Sequence, residues 1–104
     1  MAEAHRREFG EKLMQAHAAY QAERDRQYDI YKLTCTREQG VRDRELARLD
    51  PTDRAGMALT HDAYDKVVRR AGHIYDRYEE RAWAKYNDTA ERLRAEYGIK
   101  EQVP

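Results

Sequence analysis

Seven aromatic residues of this chain fall on one eleven-residue grid: Phe9, Tyr20 and Tyr31, then Tyr64, Tyr75, Tyr86 and Tyr97. Eleven residues make three turns at about 3.67 residues per turn, close to the natural pitch of an α-helix. A side chain repeated at that interval returns to the same face with only ~20° of drift. The grid therefore predicts long helices, nearly straight, sharing an aromatic seam. It is a signal of architecture rather than of chemistry.

The grid is interrupted at Leu49-Asp50-Pro51-Thr52-Asp53. Asp50 is a good helix N-cap, Pro51 suits a first helical position, and Asp53 favours the positive end of a helix dipole. The residue before a proline is also pushed out of the helical region. The sequence thus predicts an all-α antiparallel hairpin, coiled-coil-like, with helices over about 3–48 and 51–97. Gly98 reads as the glycine that ends the second helix, with Ile99 packing back on its last turn. Residues 1–99 form a single predicted domain, and 100–104 a loose tail. Gly40, Gly56 and Gly72 each weaken a helix by ~1 kcal/mol relative to alanine. With Thr60 able to cap a restart, a kink near 54–60 is the alternative form of the same fold.

The second arm carries the cleaner seam: Tyr64, Val67, Val68, Ala71, Tyr75, Tyr78, Ala82, Tyr86, Ala90, Leu93 and Tyr97. Its spacings of three and four close on eleven. The first arm runs Phe9, Leu13, Ala16 and Tyr20, passes a polar stretch at 23–27, and resumes at Tyr31, Thr34 and Cys35. A fold-back at Asp50 sets residues whose numbers add to about 99 at one height. Phe9 is then expected near Tyr86, Ala90 and Leu93, Tyr20 near Tyr78 and Ala82, and Tyr31 near Val67, Val68 and Ala71.

The apolar surface is wider than such a seam needs. At 100° per residue, Tyr28 and Trp83 lie on one flank, and Ile30, Val41 and Ile74 on the other. Leu33 points almost away. Tyr28, Ile30, Tyr31 and Leu33 wrap much of one helix, and an exposed patch of this kind marks association. These four and Trp83 are the predicted partner contacts. Few large aliphatic residues are present, and small chains with thin cores gain stability by oligomerising, so a homodimer is expected.

Chemistry is hard to find. The formal net charge is zero, with twenty basic and twenty acidic residues interleaved. Serine is absent and the glycines are isolated, so no phosphate loop or dinucleotide fingerprint exists. The four histidines form neither His-x-x-x-His nor Glu-x-x-His pairs, the helical signatures of zinc and di-iron sites. His61 with Asp62 and Asp65 reads as a helix start rather than a metal edge. Cys35, the single cysteine, reads as a small hydrophobe in a reducing compartment. No catalytic, metal or cofactor site is expected, nor a small-molecule substrate, and the chain reads as no enzyme.

What remains is a protein–protein interaction module: a small assembly component, or an inhibitor or adaptor docking on a larger protein. Arginine outnumbers lysine three to one, the mark of a GC-rich genome, hence a bacterial or phage origin. The charged start Met1–Gly10 and the lack of any long uncharged run argue against a signal peptide or membrane span. A cytoplasmic location is expected, or a host cytoplasm for a phage protein. The rival reading is nucleic-acid binding through Arg37, Arg42, Arg44 and Arg48 with Arg69 and Arg70 on the opposing arm. The neighbouring acids weigh against it, since they cancel the field that phosphates feel.

Overall fold

A computed structural model describes residues 3–99. It is an all-α helical hairpin. Helix α1 spans Glu3–Arg48 and helix α2 spans Arg54–Glu96, and no strand occurs among the described residues. The predicted tail, 100–104, lies outside them.

The first arm has the predicted limits. The second begins three residues later than the Pro51 start, because the residues between the arms make a turn of their own. The Asp53 N–H donates to the Asp50 carbonyl at 2.9 Å, closing a four-residue turn. Pro51 holds its second position, where a fixed φ near −65° is an advantage. Asp50 is therefore no helix cap: its Oδ1 accepts the Thr52 N–H at 2.9 Å and the Thr52 hydroxyl at 2.7 Å. The cap is Asp53, whose Oδ1 accepts the Gly56 N–H at 2.9 Å. Nor does α2 break at 54–60. The Thr60 hydroxyl donates to the Gly56 carbonyl at 2.9 Å inside a continuous helix, and caps nothing.

The far end closes as expected, with α2 ending at Glu96 rather than Tyr97. Gly98 has φ +67°, its N–H donates to the Ala95 carbonyl at 3.3 Å, and the Ile99 N–H reaches the Arg94 carbonyl at 2.8 Å. This pair of bonds is the Schellman closure, which needs a left-handed residue that glycine alone adopts freely. Gly98→Ala is accordingly expected to lower stability by about 1 kcal/mol. Gly10→Ala should do the reverse. A methyl there meets nothing within 4 Å, so it brings the ~0.5–1 kcal/mol that alanine gains over glycine in a helix. Urea unfolding followed by helical circular dichroism reads both changes.

The chain divides into two compact units. The terminal unit holds the residues up to Asp25 and from Tyr78 onward; the central unit is Arg26–Arg77. In the terminal unit Ala90, Leu93 and Tyr97 are buried. Tyr97 sits beside His5 and Phe9, at ring separations of 4.5 and 5.9 Å. Tyr86 takes His17 at 5.4 Å and Tyr20 at 6.0 Å. In the central unit Tyr75 takes Tyr28 at 5.7 Å and Tyr31 at 5.9 Å. Three turns nearer the loop, the Arg42 guanidinium lies 4.4 Å from the Tyr64 ring centre, a cation–π contact.

These pairs correct the expected register. Each ring of α1 meets its partner about two turns further along α2 than the fold-back at Asp50 implies, because the turn is longer and α2 starts later. The grids of the two arms therefore meet rung on rung. Phe9 pairs with Tyr97 and Tyr20 with Tyr86 in the terminal unit, Tyr31 with Tyr75 in the central one. Ring meets ring at each of these rungs. Each such pair adds about 0.5–1.5 kcal/mol beyond the area it buries.

Candidate interaction surfaces

In the central unit the helical spacing and the half-buried positions fix which side chains face the other arm. On α1 these are Tyr31, Thr34, Cys35, Glu38, Arg42 and Leu46; on α2 they are Met57, Thr60, Tyr64, Val68, Ala71 and Tyr75. Everything else is placed by 100° steps from that seam. Tyr28 and Tyr31 are brought together against Tyr75, with Tyr28 still 45% exposed. The Lys32 ammonium lies 5.0 Å from the Tyr28 ring centre. Tyr31 is largely spent on the seam, and a hydrogen bond with Cys35, one turn on, raises its hydroxyl pKa. Ile30 and Leu33 turn to solvent at 51% and 65% exposure. The four predicted contacts in this unit thus split into an aromatic pair on one side and two aliphatic side chains directed elsewhere.

Two stripes organise the side that Ile30 occupies. On α1, Ile30, Thr34, Arg37, Val41, Glu45 and Arg48 follow one another at helical spacing; on α2, Ala63, Val67, Arg70 and Ile74 do the same. Glu45, eleven residues on from Thr34, is the one carboxylate in these stripes. Where they approach the turn, a hollow of about 290 Å³ is lined by Val41, Leu59, Ala63 and Val67. Glu38 and Glu45 border it from the seam edge. Glu45 holds Arg48 at 3.2 Å. Asp43, Asp65 and Asp76 fall on the opposite side of the same unit by the same count.

Of the six arginines singled out from the sequence, this geometry gathers three, Arg37, Arg48 and Arg70, onto one side, while Arg44, eleven residues after Leu33, points with it almost away from the seam. Arg42 lies in the seam over Tyr64, with its Nε 3.4 Å from Asp43 Oδ1. Arg69 is one residue, and 100°, away from Arg70 and leaves the stripe. Sequence reasoning missed Val67 as a member of this surface, having set it in the seam. The signal was present, as an alternation of aliphatic and arginine at spacings of three and four.

Trp83 belongs to the terminal unit. Its ring is 5.2 Å from Tyr20 and 5.4 Å from Tyr86, and it remains 47% exposed. On another side of that unit a groove of about 540 Å³ is floored by Ala16, Ala19 and Ala82 between Tyr20, Tyr78 and Tyr86. Arg81, Lys85 and Glu23 stand at its rim.

Charge also ties down both ends of the fold. The Tyr97 hydroxyl and then the Lys12 ammonium, 3.4 Å away, hold the Glu8 carboxylate below its ordinary pKa of 4.5. Tyr97 and Glu8 in turn raise Lys12 above 10.5. At the turn, the Thr52 hydroxyl and N–H hold Asp50 below 3.8. A lowered carboxylate gives stability that is complete above its unfolded pKa and lost as pH falls through the folded one. Glu8 and Asp50 therefore predict a hairpin that loses stability on acidification below about pH 4.5. Lys12 has the opposite sign, its share being lost as pH rises past its raised value. Urea midpoints at pH 7 and pH 3 check the acid arm; equal midpoints contradict it.

Among the described residues no three His, Cys, Asp or Glu side chains come together as metal ligands would. Nor is any described helix long and apolar enough to cross a membrane. Compared with protein-family models, curated proteins and solved structures, the chain matches none of them.

Proposed function

We propose that this chain is a non-enzymatic protein–protein interaction module, a small helical assembly component or an inhibitor docking on a larger protein in the cytoplasm. The observation that carries the reading is what the fold leaves uncovered. The described residues bury three side chains, whereas Trp83, Ile30, Leu33, Leu59 and Ile74 all remain about half exposed or more. Apolar surface on that scale is a binding surface or a liability. Trp83 and the arginines set among these aliphatic residues are of the types that most often anchor interfaces.

Self-association is part of the proposal. Light scattering on the intact chain at tens of micromolar is expected to give the mass of a dimer. Trp83→Ala should shift it towards monomer without loss of helix. Recovery from the native host as a monomer without a stable protein partner, but with reproducible turnover of a small molecule, would overturn the module reading.

The second reading, nucleic-acid binding, is favoured by one observation, three arginines, Arg37, Arg48 and Arg70, on one side of the central unit. A gel shift at low salt tests it. Micromolar binding with a steep salt slope, lost on reversing Arg37 and Arg48, would promote it.

A further inference from the structure

The helix partly sorts the interleaved charges of the central unit, leaving Glu38 and Glu45 at the hollow and the aspartates elsewhere. Neighbours in sequence point 100° apart, so Arg37 and Glu38, or Arg44 and Glu45, leave α1 in different directions. The result is a side of the unit with an aliphatic line on each helix: Ile30 and Val41 on α1, Val67 and Ile74 on α2. An arginine stands between the aliphatic residues of each line, Arg37 on α1 and Arg70 on α2. The aspartates Asp43, Asp65 and Asp76 fall on the opposite side.

The geometry points to this side as the dock for an amphipathic helix of another protein, one with an aliphatic stripe flanked on both edges by carboxylates. The inference rests on the module reading and names the partner's chemistry. Three features select that occupant. The hollow between α1 and α2 has the form into which a third helix lays its apolar face. Val41 and Val67 are both 38% exposed at its edges and await cover. The arginines lie on the outer edges of both stripes, so matching acids are required on both flanks of the incoming helix.

Other occupants fit less well. A nucleic-acid backbone lying in the hollow would meet Glu38 and Glu45 and would leave the aliphatic residues without apolar partners. A second copy using the same side would set Arg37 and Arg70 against arginines of its own kind, which costs affinity at any interface. A second copy could instead offer its aspartate side. That arrangement is head-to-tail and does not close on itself, so it builds open polymers.

The test uses the full chain and two synthetic helical peptides of about three heptads. Both carry leucine along one stripe; one has glutamate on both flanks and the other lysine. Titration calorimetry is expected to show the glutamate peptide binding at least about tenfold more tightly than the lysine peptide. Arg70→Glu and Val67→Asp should each weaken it by about tenfold or more, whereas Asp76→Arg, on the other side, should not. Val67 and Arg70 are not buried, and circular dichroism will report whether the variants keep their helix.

Equal affinity for the two peptides, or no binding of the glutamate peptide at ~100 μM, overturns the assignment. So does a short DNA duplex that outcompetes the peptide. Concentration-dependent polymers abolished by Asp76→Arg would assign the side to a second copy instead. If the peptides fail but a partner recovered from the host depends on Trp83, this assignment falls and the module reading stands.

Discussion

Tyr97→Ala is expected to be the most damaging single substitution in the chain, lowering stability by about 3–4 kcal/mol. Among the described residues Tyr97 is one of three that are buried and the one aromatic of the three. Its ring is bounded by His5 and Phe9, with the Lys12 ammonium 5.3 Å from its centre. Alanine leaves a void that two long helices cannot collapse to fill, because their separation is set by neighbouring rungs. Leu93→Ala, beside it, should cost about 2–3 kcal/mol by the same mechanism. Tyr97→Phe isolates the hydroxyl. It should cost far less, and the Glu8 carboxylate should return towards its ordinary pKa. Urea midpoints rank the three variants, and a phenylalanine variant as damaged as the alanine one would show that the ring is not what matters.

The second large effect concerns the central unit. None of its residues is buried, whereas the terminal unit holds Ala90, Leu93 and Tyr97. Local opening follows the apolar burial that must be given up. Backbone amides of Arg26–Arg77 within the helices are therefore expected to exchange with deuterium about a hundredfold faster than those of Ala90–Glu96. A partner covering the Ile30 side should slow exchange there, which makes the same measurement a reporter of binding. Uniform protection across both helices in the free chain would contradict this account.

Much of the fold was legible in the sequence, for a simple reason. Helix period and aromatic spacing agree, so the grid on Tyr64, Tyr75, Tyr86 and Tyr97 admits few alternatives. Gly98 likewise has one good use after a long helix. The start of α2 was misread because Asp50 and Pro51 have two good uses, as cap and first helical residue or as the corner of a turn. Only the turn lets Asp53 cap Gly56. The register error followed directly from that. The candidate surface was read in part. Ile30, Val41 and Ile74 were placed on one flank, but the arginines were judged beside their sequence neighbours rather than beside those a turn away. Arg37 next to Glu38 looks neutral on paper, while Arg37 next to Val41 is the arrangement on the helix.

The rung-on-rung pairing also fixes how a hairpin of this design can change in length. Tyr20 with Tyr86, and Tyr31 with Tyr75, are related by the same interval on both arms. Adding eleven residues to each arm would insert one more rung and leave every face where it is. Adding one residue to a single arm would swing every later side chain on it by 100° and set its rings against solvent. Length in such a hairpin is quantised, and tolerated insertions and deletions should come in matched pairs of three helical turns.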